Sequence, residues 1–230
     1  MSINQLKKDL NKAANPEKAK LLQGFFKTGP GEYGAGDFFL GIMVPEQRKL
    51  AKKYLNLTLK EIQKLLNSKI HEQRLIALFI LIDKYKKTKN KKEIFRLYLK
   101  NTKNINNWDL IDLSAPNIVG NYLLDKDRKI LYKLAKSTSP WEKRISILAT
   151  AAFIRNNEFR DTLKISEILL NDKHDLIHKG IGWMLREVGK RNQPVEEKFL
   201  KKHYKNMPRT MLRYAIERFD KRKKKFYMKK

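Results

Sequence analysis

The sequence predicts an all-α fold, a solenoid of stacked helical hairpins. Three observations carry that expectation. Apolar residues recur at helical spacing along nearly all of the 230-residue chain, and no run of strand-like segments interrupts them. Four basic residues recur with a fixed period: Arg74, Arg144, Lys179 and Arg213 stand within the apolar runs QRLIALFIL, KRISILATA, HKGIGWMLR and LRYAIERF. Arg74 to Arg144 is two steps of 35 residues, Arg144 to Lys179 one step of 35, and Lys179 to Arg213 one step of 34. Such a period marks helix pairs that each bury an apolar face against the next. Finally, the connections are short and rich in Asn, Asp, Ser and Lys, as in helical-hairpin arrays.

The elements follow in order. Residues 2–13 alternate Leu and Ile with Lys at helical spacing. Asn15-Pro16-Glu17 is a start signal, with Asn as N-cap and Pro at the first helical position. Val44-Pro45-Glu46 and Ser139-Pro140-Trp141-Glu142 repeat the device, and Trp141 is expected to staple its helix start. Helices are expected over 58–66, 71–86, 91–99, 108–124, 127–136, 162–170, 174–190, 195–204 and 208–219. One segment breaks the pattern. Lys27 to Asp37 holds four of the ten glycines and runs into Phe38-Phe39-Leu40-Gly41-Ile42-Met43. It reads as an exposed loop or small hairpin near nucleic-acid backbone, or as a connection whose Phe38 and Phe39 plug the end of the solenoid. The tail, 221–230, is a charge run expected to fray in solvent and attract anions. The expected organisation is one repeat domain over 1–220, with the glycine-rich insert at 28–41 and the basic tail at 221–230.

Lys and Arg number 52 against 24 acidic residues, a net charge of +28. That excess points to a polyanionic partner, most simply nucleic acid. Compositional drift is the bland alternative, since Lys greatly outnumbers Arg, but the charge also follows the repeat. A basic residue at each repeat point would line one face of the stack, so Arg74, Lys143, Arg144, Lys179, Arg186 and Arg213 are candidate DNA-binding residues. No segment approaches the ~20 apolar residues needed to cross a bilayer, and MSINQLKKDL is an amphipathic start, not a secretory signal. Without cysteine there is no disulfide, thiolate metal site or Cys nucleophile. The expectation is a monomer in the cytoplasm, associated with the nucleoid through DNA. No catalytic triad, Walker loop or dinucleotide fingerprint appears, so no cofactor is expected. His174 and His178 have the i, i+4 spacing of zinc helices, but no Glu follows His174 and no third ligand is evident, so no metal is expected.

At one repeat step the basic residue is missing. That step lands on Asp109, inside NNWDLIDLSAP. Trp108 and Asp112 are i, i+4 on one helical face, with Leu110, Ile111 and Leu113 on the buried side. Trp183 lies one turn after Lys179, at a later step. A carboxylate in a basic face is costly unless it stabilises a developing cation or orients a water. Indole faces favour cations. Trp108, Asp112 and Trp183 together suit a reaction in which positive charge develops, such as loss of a base from a sugar.

The order NNWDLID, then PWEKR, then IGWMLRE, on a basic helical-repeat chain, resembles the AlkD-like DNA alkylation repair glycosylases. The resemblance runs from VPEQRK near residue 44 to the last expected helix. It implies a HEAT-like superhelix that grips duplex DNA on a concave basic groove. The family's excision constellation falls on Trp108, Asp112 and Trp183, and its phosphate-gripping arginines on Arg144 and Arg186. The implied substrate is a cationic N3- or N7-alkylated purine in double-stranded DNA, taken without a deep base pocket. Where the best-known pattern has a second Trp, this chain has Asn107. The insert resembles the hairpin of a sister branch that binds branched DNA without evident base excision. Three readings therefore stand: a glycosylase of base excision repair, a non-catalytic binder of branched DNA, and a helical scaffold for RNA or protein. The basic repeat counts against the third.

Overall fold

The computed structural model describes residues 2–229. Every regular element among them is helical, and the β pairing they contain is an isolated bridge between Phe38 and Ile70. The chain divides into two compact units, Met1–Leu110 and Ile111–Lys230.

The first unit holds α1 (Ile3–Lys12), α2 (Pro16–Phe25), α3 (Val44–Lys53), α4 (Leu59–Leu66), α5 (His71–Lys87) and α6 (Lys91–Lys100). Local signals place the starts. Ser2 and Asn15 cap α1 and α2, and Thr58 with Glu61 forms a reciprocal capping box on α4. Helix α5 is the centre, packed by α3, α4 and α6. All twelve residues from His71 to Ile82 are buried, so this helix has no solvent face over that stretch. Its polar first turn, His71 to Arg74, must therefore find partners inside the protein.

The end of the glycine-rich segment and the residues after it supply them. Residues 29–36 form turns, mostly exposed. From Asp37 onward the chain is fixed. The Phe38 N–H donates to the Lys69 carbonyl at 3.0 Å and the His71 N–H to the Phe38 carbonyl at 2.8 Å. Phe39 is buried while Phe38 is exposed, so one of the two aromatics plugs and the other does not. The N–H groups of Leu40, Gly41 and Ile42 all donate to the buried Glu72 carboxylate, at 2.9, 2.9 and 3.3 Å. Gly41 takes φ +81°, and a Cβ there would lie 2.1 Å from the Asn15 carbonyl oxygen. Only glycine fits that turn.

Helix α7 (Trp108–Ala115) follows, and the boundary between the units falls within it. Helical structure continues to Tyr122, close to the expected 108–124, but not as one α-helix. Pro116 lacks an N–H and crowds the carbonyl four residues back, so the chain leaves the α ladder for a π-turn over Pro116–Gly120.

The second unit continues with α8 (Lys129–Ala135), α9 (Pro140–Ala149), α10 (Ala151–Arg155), α11 (Arg160–Ile168), α12 (Asp175–Arg191), α13 (Gln193–His203), α14 (Arg209–Ala215) and α15 (Lys221–Met228). The 17-residue α12 is the counterpart of α5, packed by α9, α13 and α14. The segment 208–219 ends in a 3₁₀ turn over Ile216–Arg218. The tail is also corrected: residues 221–228 do not fray but form α15, capped by Asp220 and pinned by the buried Tyr227.

Candidate active site

Trp108 opens α7, and the Asn107 side-chain oxygen accepts its N–H at 2.8 Å. The half-buried indole stacks on Phe26, with centroids 5.3 Å apart at 22°, and meets the edge of Phe25 at 6.0 Å. Phe26 stacks on Phe39 at 5.0 Å, and Phe39 on the imidazole of His71 at 4.4 Å. A column of four rings thus runs through the first unit, from Trp108 to His71.

Its lower end is a buried ion network. His71 presents Nε2 to Asp109 at 2.8 Å and Nδ1 to Asp37 at 3.3 Å. Arg74 donates to Asp37 at 2.5 Å and to the Ser68 carbonyl at 2.8 Å. Burial by itself would lower the His71 pKa. The Asp109 charge and the hydrogen bonds to Asp109 and Asp37 outweigh burial and the nearby Arg74, and push it up to about 9. Burial likewise opposes the charge of Asp37, but His71 and Arg74 prevail and hold its carboxyl below the ordinary range. Two carboxylates and two cations make a set that is neutral when His71 is protonated. Through Asp109, this set grips the first turn of the helix that carries Trp108 and Asp112.

In the second unit, Asp112 and Arg144 form a bidentate pair. Arg144 Nε donates to Oδ1 and Nη2 to Oδ2, both at 2.8 Å. The remaining Nη1 donates to the Leu176 carbonyl. The guanidinium is buried, whereas the Asp112 side chain retains 14% exposure. This fork fixes the carboxylate in one orientation with an edge open to solvent.

The expected basic stripe is therefore corrected at two of its four points. Arg74 and Arg144 are 3% and 4% exposed; both terminal nitrogens of Arg74, and Nε and both terminal nitrogens of Arg144, donate inside the protein. The repeat places them on inward faces, beside buried or half-buried aspartates. Lys179 is half-buried and pairs with Asp175 at 2.6 Å; Arg213 is exposed. Lys143 bonds Asp172 at 2.7 Å, and Arg186 bonds Glu217. Trp183 is half-buried and donates its indole N–H to Glu187 at 3.1 Å. His174 caps α12 by accepting the Leu176 N–H at 3.2 Å, and His178 meets the Asp172 carbonyl. Trp141 lies at the start of α9 with its ring 6.5 Å from that of His174. Leu110 and Ile111 are buried as expected, and Leu113 is only half-buried.

Sequence reasoning misses the network of Asp37, His71, Arg74 and Asp109, and the separate capture of the Leu40 to Ile42 N–H groups by Glu72. A signal for them exists: HEQR begins a long apolar run that leaves its polar turn no outward face.

Fold and site together define a basic all-α protein with a carboxylate fixed on an aromatic-bearing helix. A family model described as DNA alkylation repair enzyme matches residues 6–219, and the chain belongs to that family. No curated protein matches the chain. Among solved structures, "Predicted DNA alkylation repair enzyme from Enterococcus faecalis" superimposes with a TM-score of 0.72 at 17% identity, over 90% of this chain and 97% of that one. At that identity the likeness concerns the fold.

Proposed function

We propose that this protein is a DNA glycosylase of base excision repair that removes cationic N3- or N7-alkylated purines from duplex DNA. The observation that carries this reading is the Asp112 carboxylate, held by both arms of Arg144 on the helix that also bears Trp108. An alkylated purine is already cationic, so it leaves without protonation. The glycosidic bond breaks, its electron pair departs with the base, and positive charge moves to the sugar. Asp112 stabilises that charge and orients the water that captures it, the water's proton passing to solvent. Trp108 and Trp183 offer indole faces to the cation and the sugar. Arg144 works through Asp112 and not as a free phosphate ligand, and Arg74 as a buried support. Lys143, Lys179, Arg186 and Arg213 are the phosphate contacts. The carboxylates now paired with three of them form exposed or half-buried bridges worth about 0–1 kcal/mol, which a phosphate can displace. The protein acts without a cofactor, as a monomer on nucleoid DNA in the cytoplasm.

Incubation with methylated duplex DNA and analysis of released bases tests the proposal. Asp112→Asn keeps the shape and removes the charge. It should slow release roughly 100-fold, about 3 kcal/mol of barrier, with DNA affinity unchanged or higher. A variant as fast as the parent refutes the mechanism. A second reading, non-catalytic binding of branched DNA, is favoured by the exposed Phe38 beside the turns at 29–36. It takes over if the parent binds a four-way junction more tightly than plain duplex and releases no base.

A further inference from the structure

The last helix is charged against its own electrostatics. Lys221, Arg222, Lys223, Lys224 and Lys225 are five consecutive cations in the first turns of α15. A helix N-terminus carries partial positive charge and favours anions there. Like charges at i, i+4, as at Lys221 and Lys225, repel further. Lys223 has relief, in an ion pair with Glu197. Among the described residues, no carboxylate pairs with Lys221, Arg222, Lys224 or Lys225.

Such a segment would be expected to melt, yet it is pinned. Tyr227 is 3% exposed and packs its ring edge against Tyr204 and Phe219, with centroids at 5.4 and 5.7 Å. Asp220 caps the start through the Lys223 N–H at 2.8 Å, and Arg209 donates to the Met228 carbonyl at 2.8 Å. The side chains at 223, 224 and 227 make the inner face. Lys221, Arg222, Lys225 and the exposed Phe226 make the outer one. The protein thus holds a cationic face around one aromatic, and among the described residues no carboxylate pairs with the cations of that face.

We propose that the outer face of α15 is a DNA-backbone contact, a clamp on the duplex additional to the residues assigned above, with phosphates as the missing anions. The proposal rests on the reading that duplex DNA is the partner. Ordered cations on one helix face suit the regular spacing of phosphodiesters, and each neutralised phosphate releases a counterion. The same phosphates relieve the repulsion within the helix.

The test compares the full chain with the triple variant Lys221→Gln/Arg222→Gln/Lys225→Gln on a 30-base-pair duplex across a salt series. The log-log slope of affinity against salt should shrink by about 3. Between 50 and 200 mM salt the parent should then lose roughly 40-fold more affinity than the variant. The melting temperature should hold or rise, because the self-repulsion is gone. Lys221→Arg/Lys225→Arg should keep the parental slope. A parent that binds duplex while the triple variant shows the same slope overturns the clamp and leaves the partner reading intact. A parent that binds no duplex at low salt overturns both. If the variant loses binding to phosphatidylserine vesicles but keeps its DNA slope, the face belongs to a membrane and the clamp is wrong.

Discussion

Arg74 and Arg144 hold equivalent places in the repeat, and both are buried against an aspartate, but their surroundings differ in kind. Arg74 shares Asp37 with a protonated His71, which in turn holds Asp109. All four groups are inside, and every charge is spent on another charge of the same network. Arg144 holds Asp112 through a fork, and Asp112 keeps an edge in solvent. The first arrangement is closed and structural. The second offers a held carboxylate to something outside. Repeat position and residue type are the same in both; the partner's exposure separates support from candidate chemistry.

The largest effect should come from breaking the closed network. Arg74→Ala leaves Asp37 buried beside His71 with its nearest cation gone, at a cost of about 3–5 kcal/mol. That is a fall of roughly 10 °C in melting temperature, with no change in the salt dependence of DNA binding. A variant that melts like the parent but loses one unit of salt slope would make Arg74 a phosphate ligand after all.

The next effect is on pH dependence. His71 holds its proton to about 9 in the folded chain, against 6.5 for an ordinary histidine. Its stabilisation is therefore complete below pH 6.5 and is lost as pH rises through 9, amounting to about 3 kcal/mol. Melting curves of the parent should fall between pH 7 and 9.5, and His71→Gln should flatten that fall. Parallel curves would show that His71 is neutral.

Glu196 sharpens the contrast, because it is a buried carboxyl whose Oε1 has no hydrogen-bond partner among the described residues. Burial, then the neighbouring Glu197, push its pKa up to about 8, against a smaller opposing effect of Arg186. Folded stability should thus decline from pH 4.5 to 8 and level off above. Glu196→Gln avoids the charge and should stabilise the chain by about 2 kcal/mol at pH 8, with little effect at pH 4.5. Equal melting at both pH values would mean that an internal partner satisfies the carboxylate. The smallest effect is expected from Arg144→Lys. It keeps the charge and loses the fork, costing about 1 kcal/mol of stability. Base release should nevertheless slow, since Asp112 is no longer fixed. Release at the parental rate would show that charge near Asp112 suffices without the fork.

The residues alone are enough for the helical class, because apolar period and capping are local: Asn15-Pro16, the Thr58–Glu61 box and Ser139-Pro140 each open a helix where the sequence places one. The 34–35-residue step and the motif around Trp108 and Asp112 are likewise readable, and they lead to the family. At Pro116 the α ladder of α7 gives way to a π-helical stretch, a change that its missing N–H makes readable in principle. Tertiary structure decides the rest. A period places residues on a common helix face without saying whether that face meets water or another helix, so the repeat suggests a surface stripe through Arg74 and Arg144, and both are interior. Glu72 with the N–H groups of Leu40 to Ile42, and His71 with Asp37 and Asp109, join residues 30 or more positions apart. Tyr227 likewise turns a charge run into a docked helix by reaching Tyr204 and Phe219. Such contacts depend on which surfaces meet, and burial then favours pairing of the polar groups among them.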